Sequence, residues 1–406
     1  MFHGRDPPPS FYFRYLADPT PGAPPICSIW FHLGLLHTIL DEIRAKSETP
    51  PPLTQLTFLS TSTSLMRTEI FKLGNFDLQC GKVLKNAFIS YEVHGQLNRE
   101  KSNVIVYPTW YSGNHEDVRA AIGPGRALDP EKYFIVVPDM FGNGYSSSPS
   151  NAEYPHDRGR FPSVTPYDNV IAQHQLLTDF YGITKIQLVV GFSMSAQQAF
   201  HWGALYPELV TAIAPICGSA KTASHNWLFL ETLKKALILD ENFNAGDYIT
   251  QPESGLRAFT TIYASWAFSQ TFYRKNLHLS WLGQSFNSMD EFLEFFHNFF
   301  TPKNDANNLL TMLDTWQRAD ISNHIKFDGD LNTALSAITC KAIVMPGRTD
   351  MYFPPEDNEN EVIMMPNAEL RVIESIYGHG AGGPGFSTQD DDDFIDHALM
   401  ELLGHT

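Results

Sequence analysis

The chain has 406 residues, of which 43 % are hydrophobic and 18 % charged, with a formal net charge of −17 at pH 7. This balance gives a globular protein with a sizeable core, and so acidic a chain is a poor electrostatic match for nucleic acid or an anionic membrane surface. The length exceeds one ordinary compact domain and calls for a large insertion or a second domain.

Residues 1–66 differ from the rest. They hold Pro7-Pro8-Pro9, Pro24-Pro25, Pro50-Pro51-Pro52 and a Ser/Thr-rich stretch at 60–64. Proline at this density opposes regular structure, so a poorly structured N-terminal extension is expected. Met66 stands just before the first strand-like run, so an artificial upstream start is one origin for it. The apolar run at 26–40 carries His32 and His37 and lacks a basic start and a small-residue cleavage site. Neither a membrane span nor a signal peptide is expected from it. The C-terminal Leu403-Gly404-His405-Thr406 is no peroxisomal or ER-retention tail. A cytoplasmic protein is the expectation.

From residue 68 onward short apolar runs predict strands at 76–80, 87–92, 104–107, 133–137, 186–190, 212–217, 341–345 and 369–373. Runs apolar throughout are those of strands buried on both faces of a parallel sheet. Helical patterns cover 169–181, 196–206 and 390–403, the last with Asp390 to Asp393 at its start. Acidic groups there complement the helix dipole, so no metal site is read in them. Strand patterns stop between about 222 and 324, where aromatics and helix formers dominate, as at 290–300 and 307–319. The expected organisation is an α/β core at 67–221 and 331–406, split by a helical cap insertion at 222–330. Cys27, Cys80, Cys217 and Cys340 form no C-x-x-C pair, so no zinc or redox motif is present. Cys217 and Cys340 lie in strand-like runs and read as buried thiols.

The strongest chemical signal is Val190-Gly191-Phe192-Ser193-Met194-Ser195-Ala196, which follows a strand and opens a helix. A nucleophile elbow has the form G-x-S-x-G, because the turn from strand to helix is too tight for large flanking residues. Gly191 fits, and Ser195 replaces the second glycine with another small residue. Ser193 is then the nucleophile, and the Met194 amide an oxyanion donor. The alternative is a serine that caps a helix. A second oxyanion donor belongs in the loop after the third strand, where the Trp110 amide is the candidate. A serine hydroxyl needs a base, and the base an orienting acid, in the chain order Ser, Asp, His for this turn type. Asp350 follows the strand at 341–345 and His379 the strand at 369–373, so both stand in post-strand loops. Asp357 and Asp320 are weaker rivals for the acid. The glycine-rich Ile122-Gly123-Pro124-Gly125-Arg126 lacks the P-loop lysine and reads as a turn. The Phe/Trp clusters of the insertion line an acyl pocket or pack the cap.

On Gly191-Phe192-Ser193-Met194, on residues 122–129, on Asp350 with Tyr352-Phe353-Pro354, and on Tyr377-Gly378-His379, the chain resembles the homoserine O-acetyltransferase family of the α/β-hydrolase superfamily. Tyr91 to Asn98 and Asp305 to Leu309 add to the likeness, which spans about residues 68–403. The resemblance implies an α/β-hydrolase fold with a mostly parallel sheet flanked by helices. It also implies a homodimer and ping-pong acetyl transfer from an acyl-CoA co-substrate through Ser193, His379 and Asp350. Departures from the family pattern are Ser195 and Ala196 for two glycines, and Gly380 for an aspartate. Thr260 stands where the family has an arginine that holds the amino-acid acceptor. Without that cation a zwitterionic acceptor is disfavoured, so a divergent paralogue acting on another small hydroxyl substrate, in secondary metabolism, is expected. An esterase or thioesterase on the same three residues is the alternative, since they do not decide whether water or an alcohol intercepts the acyl-enzyme. A non-catalytic binding protein on the same scaffold is the third reading. No metal or resident cofactor is expected.

Overall fold

The computed structural model describes residues 67–301 and 304–404; the expected extension at 1–66 lies outside them. The described residues belong to one compact unit. Its centre is a sheet of strands β1 (Arg67–Asp77), β2 (Val83–His94), β3 (Val104–Val106), β4 (Phe134–Pro138), β5 (Ile186–Phe192), β6 (Ala212–Ile216), β9 (Lys341–Val344) and β10 (Ala368–Leu370). Their spatial order is β1-β2-β4-β3-β5-β6-β9-β10. Strands β4 to β10 run parallel, while β1 pairs antiparallel with β2, and β2 antiparallel with β4.

The central strands read as unbroken apolar runs because helices cover both sides of them. Ile105, Leu188, Val190, Ala214 and Met345 pack into one core cluster. Val104, Val106, Val189, Ile213 and Val344 pack into the other, on the opposite face. Adjacent residues are thus buried on opposite sides, as the two-residue strand period requires.

Three expectations need correction. The strand placed at 76–80 is the end of β1, whose earlier residues Arg67, Glu69 and Lys72 are too polar to read as a strand. As an edge strand β1 packs one face only, and its register slips around Gly74, a bulge of the kind that blunts edges. The strand placed at 369–373 is shorter, Ala368–Leu370, with an isolated bridge from Gly347 to Ile373 beyond it. Strands do not stop at 222: a hairpin of β7 (Ser280–Trp281) and β8 (Gln284–Ser285) lies between β6 and β9. Two residues per strand are too few for any periodicity to register.

Otherwise the stretch between β6 and β9 is helical. It holds Ser224–Ile238, Glu253–Ala267, Gln270–Arg274, Met289–Phe300 and Ala306–Gln317. Of the acidic start at 390–393, Asp390, Asp391 and Asp392 fall in the first turn of the last helix, Gln389–Leu402, where Thr388 and Asp391 form a reciprocal cap. The glycine-rich segment at 122–126 is a turn: the Gly123 amide donates to Leu128 O and the Arg126 amide to Gly123 O. Cys217 and Cys340 are buried. Among the described residues no helix is long and apolar enough to cross a membrane.

The topology selects one place for a ligand. From β3 the chain moves to β4 on one side, and from β5 to β6 and β9 on the other. The carboxyl ends of β3 and β5 therefore flank the point where strand order reverses, the usual ligand crevice of an open α/β sheet.

Candidate active site

Ser193 sits at that crevice, in the turn from β5 into the helix Met194–Leu205. Its backbone is in a left-handed conformation, φ 60° and ψ −125°, which a non-glycine residue keeps only when its surroundings impose it. The restraints are visible. The Ser193 amide donates to Ile216 O at 2.9 Å, and the Ala196 and Gln197 amides donate to Ser193 O at 2.9 and 3.2 Å. A Cβ on Gly191 would stand 2.2 Å from Ser195 Oγ and 2.4 Å from the Ser195 carbonyl, so only glycine fits. Ser195 itself is tolerated because that void receives it. The Ser193 side chain makes no capping bond to the helix, which removes the capping alternative. The Met194 amide, first in the helix, has no intrahelical acceptor to reach.

His379 lies in a short 3-10 turn, Gly378–Gly382, past β10. Its Nε2 is 2.9 Å from Ser193 Oγ and its Nδ1 2.7 Å from Asp350 Oδ2. The other carboxylate oxygen of Asp350 accepts from the Tyr352 and Phe353 amides at 2.8 and 3.2 Å, which fixes the acid. These two amides carry no side-chain signal in the sequence. Ser193, Asp350 and His379 are only 2 %, 4 % and 5 % exposed. Rings of Phe192, Tyr352 and Phe353 pack around the imidazole, with centroids 4.7, 4.7 and 5.7 Å away. Neither rival acid is at this histidine. Asp320 pairs with Lys221 at 2.8 Å, and Asp357 lies on the helix Pro355–Val362.

Cys217, which the sequence reading left out of the site, lies beside the pair. A ligand atom from each of Cys217, Asp350 and His379 falls within 4.8 Å of the others. Burial, then the Asp350 charge, hold its thiol well above the ordinary range. A protonated thiol beside a histidine and carboxylate already bonded to each other is packing for the pair, not a metal-ligand set.

A cavity of about 90 Å³ opens on Ser193 and His379. Trp110 and Tyr111 line it from the loop after β3, Tyr263 and Phe268 from the insertion, and Trp281 from the hairpin. Phe296, Phe299 and Phe300 add a wall from the helix Met289–Phe300. The aromatic clusters of the insertion thus do both things expected of them: Phe296 lines the cavity, while Phe292 packs behind it against Trp281. No lysine, arginine, aspartate or glutamate is among the lining residues. Thr260 does not reach the cavity. It is buried, with Oγ1 3.2 Å from His297 Nδ1, and Tyr263 and Ala267 are the residues of that helix that line the cavity.

A strand-turn-helix serine, a histidine past the last strand and an aspartate past the one before it, on a mostly parallel sheet, define a class of enzyme fold. Residues 111–380 match the family described as alpha/beta hydrolase fold, and the chain belongs to that family. The ethyl acetate hydrolase of Pseudomonas veronii is 41 % identical over 340 residues, covering 82 % of this chain and 95 % of that one. The crystal structure of the acetyl esterase MekB superposes with a TM-score of 0.79 at 39 % identity, covering 83 % of this chain and 97 % of that one. The homoserine O-acetyltransferase of Chlorobium chlorochromatii is 28 % identical over 319 residues, covering 75 % and 88 %. The protein is therefore an enzyme of this fold and a divergent relative of the homoserine acyltransferases, more similar to the two named esterases than to that acetyltransferase.

Proposed function

We propose that the protein is a serine esterase that hydrolyses short-chain, acetyl-type esters of small uncharged alcohols. The observation that carries this reading is the cavity at Ser193: small, aromatic and free of fixed charge. An apolar cavity of about 150 Å³ holds a benzene-sized guest, so this one suits an acetyl group better than a long acyl chain. An aromatic lining offers no cation to the carboxylate of an amino-acid acceptor. The similarity to proteins named ethyl acetate hydrolase and acetyl esterase supports the same substrate class. Hydrolysis thereby displaces acyl transfer, the first expectation from the sequence, as the leading reading.

The chemistry follows from the distances. Ser193 Oγ attacks the ester carbonyl carbon as its proton passes to His379 Nε2. The tetrahedral oxyanion is held by the Met194 amide and, from the loop after β3, the Trp110 amide. Asp350 keeps Nδ1 protonated and stabilises the imidazolium. His379 returns the proton to the departing alcohol, leaving an acyl group on Ser193. Water then gives its proton to Nε2 and attacks the acyl carbon, and the acid leaves as Ser193 recovers its hydrogen.

The test is acetate release from ethyl acetate and p-nitrophenyl acetate, with Ser193→Ala as control. Release by the wild type, without need for an alcohol acceptor, and none by the variant is the expected result. Acetyl transfer from acetyl-CoA to an alcohol, with no hydrolysis of either ester, would overturn the reading.

A further inference from the structure

A second histidine–carboxylate pair lies behind the loop that follows β3. His115 Nδ1 is 2.6 Å from Asp139 Oδ2, and the two residues are 3 % and 1 % exposed. The His115 amide donates to Asp139 Oδ1 at 3.0 Å, and Asn143 Nδ2 donates to the same oxygen at 2.9 Å. Asn143 Nδ2 also reaches Gly113 O at 3.3 Å, which ties the network to the loop. At the other end of the loop the Thr109 amide donates to Pro138 O at 3.1 Å, and the Met140 amide to Thr109 Oγ1 at 3.0 Å. Between these anchors stands Trp110, whose amide was assigned above to the oxyanion.

The far edge of His115 faces a second buried carboxylate. Its Nε2 lies 3.9 Å from Glu92 Oε2 and 3.4 Å from Thr68 Oγ1. Glu92 also receives Arg119 in a two-pronged contact of 3.0 and 2.5 Å, and His94 Nε2 at 2.7 Å. The groups around His115 are thus Thr68 from β1, Glu92 and His94 from β2, and Asp139 from the end of β4. Its own helix adds Glu116, Asp117 and Arg119, and the Tyr145 ring meets it edge-on at 5.2 Å. Burial works against ionisation of Glu92, yet the bonds from His94 and Arg119 hold it down at about 2. Burial pushes the Asp139 carboxyl up, against the bonds from His115 and Asn143 that favour its charged form. Two deeply buried carboxylates face one guanidinium and two imidazoles here, and His115 is the imidazole that lies between both carboxylates, placed to supply countercharge to each. Burial opposes that charge, but Asp139 and then Glu92 outweigh it and hold the imidazole above its ordinary range.

We propose that His115 is a positioning residue carried as an imidazolium, whose contacts with Asp139 and Glu92 hold residues 109–113 in the geometry the oxyanion needs. The inference rests on the serine-esterase reading. The two histidines then work in opposite states. His379 must be neutral to take a proton, and His115 must be charged to hold the loop. The rate falls as His115 loses its proton, so the alkaline limb of the pH–rate profile belongs to a residue that never touches substrate.

NMR of histidine-¹⁵N-labelled wild type reads the claim without any activity, with the His115 signal assigned by its loss in His115→Gln. An imidazolium at neutral pH is expected; where the variant does not fold, the signal is assigned in wild type by through-space contact with the Tyr145 ring 5.2 Å away, and a neutral ring overturns the proposal. In kinetics, His115→Gln is expected to lower kcat about 10-fold, leave KM within about twofold and abolish the alkaline limb. Asp139→Asn is expected to do the same. An alkaline limb that survives in His115→Gln refutes the positioning role. Hydrolysis that survives Ser193→Ala would instead refute the esterase reading, while the NMR result stands apart from it.

Discussion

Glu361 offers a test of how the fold carries charge behind the nucleophile. It is fully enclosed on the helix Pro355–Val362, where Oε1 accepts from the Ala220 amide at 2.8 Å and Oε2 from Asn358 Nδ2 at 2.7 Å. Asn358 Nδ2 also donates to Gly218 O at 2.9 Å. The Gly218 segment in turn packs on the elbow, since a Cβ there would stand 2.7 Å from Ser193 O. Burial raises the Glu361 carboxyl from 4.5 to about 8. The sign follows from which state holds the proton. Below pH 4.5 both folded and unfolded chains are protonated, and the group is neutral in its effect. Between 4.5 and 8 the unfolded chain ionises and the folded one does not, so stability falls as pH rises through that window. At about 1.4 kcal/mol per pH unit, the loss reaches about 3 kcal/mol at pH 7.

Glu361→Gln abolishes the titration. Glutamine keeps a carbonyl for the Ala220 amide, while its NH₂ replaces the oxygen that accepts from Asn358 Nδ2, so the Asn358 amide must turn over to present Oδ1 and gives up its bond to Gly218 O. A lost bond shifts the variant by a constant at every pH, so the expected signature is a stability relative to wild type that rises by about 3 kcal/mol from pH 4 to pH 7. Urea unfolding at a series of pH values measures this directly. A difference that stays constant from pH 4 to pH 8 would refute the argument, because it would mean that Glu361 holds no proton the unfolded chain lacks.

Two further substitutions probe the site itself. Gly191→Ala places a methyl 2.2 Å from Ser195 Oγ and 2.4 Å from Ser195 backbone, which cannot retreat without opening the elbow. Its expected cost is at least about 100-fold in kcat/KM and a few kcal/mol of stability, read by ester hydrolysis and thermal melting. Trp281→Ala removes an indole from a cavity of about 90 Å³. Relative kcat/KM for butyrate over acetate esters is expected to rise on the order of 10-fold, with a stability loss of about 3–5 kcal/mol; unchanged chain-length preference would show that the acyl group lies elsewhere.

The triad positions were legible because each carries a local signature. Ser193 lies in a strand-to-helix turn that only small flanking residues allow, and Asp350 and His379 follow apolar runs in the order this fold imposes. The core strands announced themselves by burial on both faces. What escaped was whatever depends on a single buried face or on distance in the chain. Arg67–Asp77 is an edge strand whose polar residues mask its period, and the hairpin at Trp281 is too short to show one.

Sequence alone therefore pointed to Ser193, Asp350 and His379, since each sits in a segment whose local pattern is self-sufficient. Only the folded chain showed the cavity that opens on them. The aromatic walls at Trp110, Phe268, Trp281 and Phe296 come from segments far apart in the chain, and so does the absence of a cation among them. Cavity size and charge are properties of packed surfaces meeting in space, and no run of residues encodes them before the helices of the insertion close over the sheet.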